Sequence, residues 1–284
     1  MSLSIEPISD ILGARIRGVD LAAAIDDGIL ATIEDALHDH GFIVFPGQTF
    51  SAGQFVAFSR RFGNPEPHVI DRFHHPVDPN ILILSNVHRD GQPIGLVDAG
   101  TYFHTDYSYL DVPARCTILH AIQVPRALAG TTFVNQTKAY ADLDAATRAR
   151  IDGLVVRHHY GNRDNLNEES RTVASVLTEA EKQKVTWVRH PLVRRHPHTG
   201  VPSLYAVSGS SFEVEGMPVD EGRALLDSLK AHSTQDQYRH TYGYSVGDVI
   251  VWDNVQLLHS APLTDLTDAR TLWRITVKEA CPTL

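Results

Sequence analysis

A histidine and an aspartate one residue apart, His104 and Asp106 in "FHTDYSYL", are the first residues whose types and spacing suggest chemistry. The run around them reads as a β-strand, where side chains two apart point to one face, so an imidazole and a carboxylate would emerge together. Such a pair can fill two adjacent corners of a metal's coordination sphere; it equally suits a polar strand face in water. His259, at the end of "GDVIVWDNVQLLH", offers a distant third donor. In a barrel, strands remote in the chain face one interior. Two histidines and a carboxylate on one face of Fe(II) leave three positions open, the facial arrangement of non-haem iron oxygenases. Zinc accepts the same donors in peptidases, but the sequence has no HExxH.

A second constellation follows His259. In "RTLWRITVK", alternation places Arg270, Leu272, Arg274 and Thr276 on one face and Thr271, Trp273, Ile275 and Val277 on the other. If the apolar set packs against helices, two guanidiniums face a cavity, where unpaired charge is costly and arginine cannot escape by deprotonating. A carboxylate gripped by both guanidinium nitrogens is the natural partner. Structural carboxylates such as Asp265 or Asp268, or solvent, would also serve. His158, His159, His190, His196 and His198 show no consistent ligand spacing and read as structural.

The elements that must position these groups are partly legible. "ILATIEDALHDHG" has Ile29, Ile33, Ala36 and Leu37 on one helical face, with Gly41 as a stop. "FIVF" (42–45) reads as a buried strand. A second helix opens on a capping box, Ser51 and Gln54, and carries Phe55, Phe58 and Phe62 on one stripe up to Gly63. From about residue 80 the chain turns to short β-type runs punctuated by Gly and Pro, which points to a sandwich or barrel. Helical stretches recur at 137–151 and 218–232. The polar segment 161–184 reads as a mobile loop or lid with a short helix near its end. No repeat or linker divides residues 1–284, so a single domain is expected.

Composition narrows the partners. The 284 residues are 43% apolar and 21% charged, a globular balance. A formal charge of −9, with no basic block, disfavours nucleic acid. No apolar run is long enough for a membrane span and the N-terminus has no signal-peptide pattern, so a cytoplasmic location is expected. The two cysteines, Cys116 and Cys281, match no zinc motif or disulfide framework.

Taken together, His104, Asp106, His259, Arg270 and Arg274, with "LGARIRGVDL", "FIVFPGQ", "FSRRFG", "GTTF" and "HPLVRRHPHTG" in order, resemble the taurine dioxygenase/TfdA family of Fe(II)- and 2-oxoglutarate-dependent dioxygenases. The resemblance implies a β-rich α+β fold, a double-stranded β-helix (jelly-roll) core at roughly 80–280 flanked by helices and carrying the lid. It implies Fe(II) held by His104, Asp106 and His259, with 2-oxoglutarate and O2 as co-substrates. The distal 2-oxoglutarate carboxylate would be held by Arg270 and Thr132, with Thr131 as the fallback because the preceding turn is one residue longer than in the taurine enzyme. Arg274 and His68 would hold a small anionic organic substrate, a sulfonate or carboxylate, which is hydroxylated with release of succinate and CO2. Asp71 and Gly100 stand where the taurine enzyme has a tyrosine and an asparagine, which puts taurine in doubt; Arg163 is a further candidate cation from the lid. An aryloxyalkanoate, as for TfdA, or an outcome such as desaturation or isonitrile formation is the alternative. A zinc hydrolase or a non-catalytic β-sandwich binding protein is more remote. Relatives suggest a homodimer or homotetramer.

Overall fold

Among the described residues the β-type runs pair into five sheets, of which an eight-stranded major sheet and a three-stranded minor sheet share an apolar interior near the residues of interest. The computed structural model describes residues 3–126, 130–161, 177–263 and 265–278. In the major sheet the spatial order is Ser4–Pro7, Ala14–Arg17, Phe42–Phe45, Val249–Asp253, Ala114–Gln123, Thr271–Lys278 and Asn64–Glu66, and Leu82–Ser85 also pairs with Thr271–Lys278. In the minor sheet Gly130–Asn135 lies between Arg239–Gly243 and Leu257–Ser260. Neighbours in space are thus remote in sequence, which is how the last strands of the chain reach residues near 104.

Strand alternation decides what faces inward. In Thr271–Lys278, Leu272 packs with Leu119, Phe133, Tyr242 and Trp252 between the two sheets. Ile275 and Val277 point the other way, into a cluster with Phe55, Phe58 and Phe62 and with Ile33 and Leu37 of the first helix. That first helix, Asp27–His40, is capped by the Asp26 side chain and ended by Gly41 at φ 75°, a conformation that favours glycine. The second, Ala52–Ser59, has both halves of the Ser51/Gln54 capping box, and its phenylalanine stripe runs on into a 3-10 turn at Arg60–Phe62. On the outer face of the minor sheet, Val134 and Leu258 pack against Leu225, Leu226 and Leu229 of the helix Val219–Ser233.

Three expectations need correction or limits. The "FHTDYSYL" run is not a strand: only His104 makes a β-bridge, and the chain then turns, with Tyr107 at φ 55°. The Asp106 N–H is taken by the Asn254 side chain and the Leu110 N–H by the Tyr107 carbonyl, so no ladder can continue. The 137–151 stretch is two helices, Gln136–Ala141 and Ala145–Ile151, because Asp144 caps the second by accepting from the Thr147 N–H. Of the expected lid, residues 162–176, including Arg163, lie outside the described residues; the short helix near its end is Glu179–Lys182, with a Thr178/Glu181 capping box. Among the described residues no helix is long and apolar enough to cross a membrane.

Candidate active site

His104 and His259 form an isolated antiparallel bridge, each N–H donating to the other's carbonyl at 2.9 and 2.8 Å. This places their imidazoles on one side, with ring centroids 4.2 Å apart. Asp106 reaches the same point from the following turn: its Oδ1 lies 3.6 Å from His104 Nε2 and its Oδ2 3.6 Å from His259 Nε2. The three groups can each present a ligand atom within 4.8 Å of the others. A cation with bonds of about 2.1 Å fits between such donors.

The protonation states suit a metal. His104 Nδ1 stands 2.8 Å from the Tyr102 carbonyl, which can only accept, so Nδ1 carries the proton and Nε2 presents its lone pair. Burial, then His104, pushes the His259 imidazole down to about 3 against the opposing pull of Asp106, so it is neutral. Packing against Trp252, at 4.9 Å between ring centroids, holds the His259 ring, whose buried Nδ1 has no hydrogen-bond partner among the described residues. Burial alone would raise the Asp106 carboxyl; Arg274 foremost, then His259 and His104, outweigh it and hold Asp106 well below the usual carboxylate range. Two imidazoles and a carboxylate, with Arg274 beside the carboxylate, form a donor set that fits Fe(II).

Behind Asp106, the Thr117 hydroxyl donates to Oδ2 at 2.7 Å, and Asn254 Nδ2 donates to Thr117 Oγ1 at 2.9 Å. Neither residue was singled out by type or spacing. Asn254 sits in the "WDN" end of a strand whose sequence was legible, but its contact with Thr117 is made only when the sheet closes.

Arg274 is buried, with Nη1 3.4 Å from Asp106 Oδ1. Tyr107, Tyr109 and Tyr160 are close enough to act on its charge. His68, placed by the turn that precedes Asp71–Phe73, is near enough to feel Arg274, Asp106 and His104. Loss of water contact, then Arg274, pushes its imidazole well below its ordinary value. Its Nδ1 accepts from the Ile70 N–H at 3.1 Å, so the neutral ring carries its proton on Nε2. Beside His68 opens a cavity of about 260 Å³ lined by Val69, Tyr109, Leu110 and Val185 and also by Glu66, His74 and Lys184. Asp71 lies at its edge, exposed, in a 3.0 Å ion pair with Lys184.

Arg270 is buried just before the last strand, with Nη1 3.4 Å from the Val97 carbonyl. The threonine pair separates across the minor sheet. Thr131 is buried and its hydroxyl bonds that of Tyr244, which is near enough to Arg270 to act on its charge. Thr132 is on the other face, hydrogen-bonded to Thr241 at 2.7 Å. The expected Thr132–Arg270 pairing is therefore not what the strand's alternation gives; Thr131 has the inward position. Tyr244 was not singled out, because its nearness to Arg270 depends on pairing between strands more than 100 residues apart. Gly100 has φ 70°, and a Cβ there would stand 2.3 Å from His104 Cε1, so the missing asparagine reflects close packing of backbone on a metal-ligand ring.

Comparison with known proteins agrees with this arrangement. The profile of the taurine catabolism dioxygenase TauD, TfdA family matches residues 4–276. The chain belongs to the TauD/TfdA family. Among relatives of this TauD/TfdA dioxygenase, pentalenolactone F synthase of Streptomyces arenae is 31% identical, with 93% of this chain and 91% of that protein covered. The alpha-ketoglutarate-dependent 2,4-dichlorophenoxyacetate dioxygenase of Cupriavidus pinatubonensis is 30% identical, with 97% and 98% covered. The crystal structure of AAD-2 in complex with Mn(II) and N-oxalylglycine superimposes with a TM-score of 0.83 over 100% of both chains at 28% identity. The protein is accordingly an Fe(II)- and 2-oxoglutarate-dependent dioxygenase that consumes O2, and its two sheets are those of the jelly-roll core found in its structural neighbours.

Proposed function

We propose that this dioxygenase hydroxylates a small carboxylate with an apolar, aryloxyalkanoate-like body, using one domain that spans the chain. The observation that carries this reading is Arg274: a buried guanidinium 3.4 Å from Asp106 Oδ1, with Tyr107, Tyr109 and Tyr160 close enough to act on its charge, and with His68, which feels that charge, on the wall of a cavity lined by Val69, Leu110 and Val185 as well as by Glu66, His74 and Lys184. A cation so placed favours an anionic head group, and the apolar part of the cavity wall, Val69, Leu110 and Val185, offers contact to a carbon body that gains by leaving water. The aryloxyacetate named for the Cupriavidus relative has both parts.

His104, Asp106 and His259 would hold the metal and, as three ligands, would leave positions for the co-substrates. When bound, Fe(II) with 2-oxoglutarate and O2 supplies the oxidant, and 2-oxoglutarate leaves as succinate and CO2. Arg270, the Thr131 hydroxyl and Tyr244 receive the distal carboxylate of 2-oxoglutarate. Arg274 takes the substrate carboxylate, and His68 donates to it from Nε2, the nitrogen left protonated by the Ile70 contact. Asp71 is engaged by Lys184 at the mouth, so it shapes entry more than it repels the bound anion.

The test is succinate release with Fe(II), ascorbate and 2-oxoglutarate across aryloxyacetates, aryloxypropionates, alicyclic carboxylates and sulfonates including taurine. Carboxylates with apolar bodies should stimulate release and yield a hydroxylated product or its breakdown product. Taurine as the preferred substrate, or a desaturated or isonitrile product, would overturn the reading.

A further inference from the structure

The metal-ligand carboxylate is buried, and its orientation is set by a relay with a definite direction. Asn254, with none of its surface exposed, accepts the Asp106 backbone N–H on its Oδ1 at 3.3 Å. That contact fixes which end of the amide is oxygen, because a backbone N–H can only donate. The Asn254 NH2 must then face Thr117, and it donates to Oγ1 at 2.9 Å. A threonine hydroxyl has one proton. With its oxygen already accepting from Asn254, that proton is directed to Asp106 Oδ2 at 2.7 Å, a much better geometry than the 3.4 Å to Thr276 Oγ1. The Asn254 backbone is itself held, its N–H donating to the Arg115 carbonyl at 2.9 Å.

The relay therefore closes on one residue. Asn254 grips the main chain of Asp106 and, through Thr117, one oxygen of its side chain. A carboxylate gripped at both ends cannot turn about its Cβ–Cγ bond without breaking a short hydrogen bond. This matters here because both oxygens lie 3.6 Å from an imidazole nitrogen, so a small rotation changes which oxygen faces the metal and whether both do. A second carboxylate oxygen on the metal would take a position that 2-oxoglutarate or O2 requires.

We propose that Thr117 and Asn254 are positioning residues that hold Asp106 in its metal-binding orientation. The inference rests on the triad as the metal site, and the experiment separates the two. Mn(II) affinity of the purified full-length protein is measured by electron paramagnetic resonance without 2-oxoglutarate, for wild type, Asp106→Ala, Thr117→Val, Thr117→Ser, Asn254→Ala and the Thr117→Val/Asn254→Ala pair. Thr117→Val should weaken Mn(II) about tenfold or more, while Thr117→Ser, which keeps the donor, should stay close to wild type. Asn254→Ala should weaken Mn(II) in wild type and add less when Thr117 is already valine, as members of one relay do. Undiminished affinity in Thr117→Val, or an equal loss in Thr117→Ser, overturns the positioning role while Asp106→Ala still loses metal. Undiminished affinity in Asp106→Ala would instead overturn the triad itself. Thermal unfolding of each apoprotein keeps the readings to folded samples, and a Thr117→Val variant that is folded, binds Mn(II) weakly and is rescued by serine separates positioning from general destabilisation.

Discussion

Among the described residues two clusters contain two histidines and an aspartate within coordination distance, and they behave as opposites. In His104–Asp106–His259, each histidine has its Nε2 3.6 Å from an Asp106 oxygen, and among the described residues no backbone N–H donates to it. In His38–His196–Asp253, the groups satisfy one another. His196 Nδ1 accepts from the His198 and Thr199 N–H groups at 3.2 Å each, so its proton is on Nε2, donated to Asp253 Oδ2 at 2.7 Å. Asp253 accepts also from the Val255 N–H at 2.8 Å and from Gln256 Nε2 at 3.2 Å. A cation entering there would have to evict a proton that two backbone amides keep in place. Residue type and distance are shared; what differs is that in the second cluster the His196 proton is committed to Asp253, whereas His104 has its Nδ1 on the Tyr102 carbonyl and its Nε2 turned to the centre.

The largest effect should come from Asp106→Ala. Loss of the only carboxylate donor should abolish succinate release and weaken Mn(II) at least about 100-fold; turnover near wild type would erase the contrast. Next come the two arginines, which give the open cluster its anion-binding surroundings. Arg270→Ala should raise the 2-oxoglutarate KM about 10- to 100-fold with a smaller change for substrate, since a charge-assisted carboxylate contact contributes about 1.5–3 kcal/mol. Arg274→Ala should do the reverse, and steady-state kinetics with each substrate varied would expose a swap. A finer distinction is that Thr131→Val should raise the 2-oxoglutarate KM severalfold, about 1 kcal/mol, whereas Thr132→Val should leave it near wild type. Equal effects would mean that the inward and outward threonines are not distinguished. The smallest catalytic effect should follow Asp253→Asn. It should leave Mn(II) affinity and turnover unchanged yet destabilise the fold by about 1–3 kcal/mol in denaturant titration, because one amide oxygen cannot replace two carboxylate oxygens that take three N–H donors. A loss of metal without a loss of stability would place a metal in the wrong cluster.

The contrast also shows what a sequence carries. His104, Asp106 and His259 were legible because their types match a donor set and because the last strand's alternation turned Arg270 and Arg274 inward, as Leu272 and Ile275 now show from opposite faces. The setting aside of His196 and His198 as structural agrees with their hydrogen bonds, though nothing in their spacing contained the reason. Misreading 103–110 as a strand did no harm to the triad, since the turn still brings Asp106 beside His104. It did hide how Tyr107 and Tyr109 become buried near Arg274. Thr131 and Thr132 are adjacent, so only the register Thr131↔Tyr242 and Thr132↔Thr241 in the folded sheet says which faces in. Thr117, Asn254 and Tyr244 were silent for the same reason: each acts through a partner brought close by sheet closure, and single-chain periodicity carries no cross-strand address.

The His104–His259 bridge has one more consequence. Because the two ligands are each other's backbone partners, a slip of one residue would turn one imidazole to the opposite face, and no rotamer could restore the triad. The metal site can therefore assemble only after the closing segments have met in correct register. With His104 and His259 as ligands, a bound metal would add a third link to the two backbone hydrogen bonds that join these segments, and would do so only in this register.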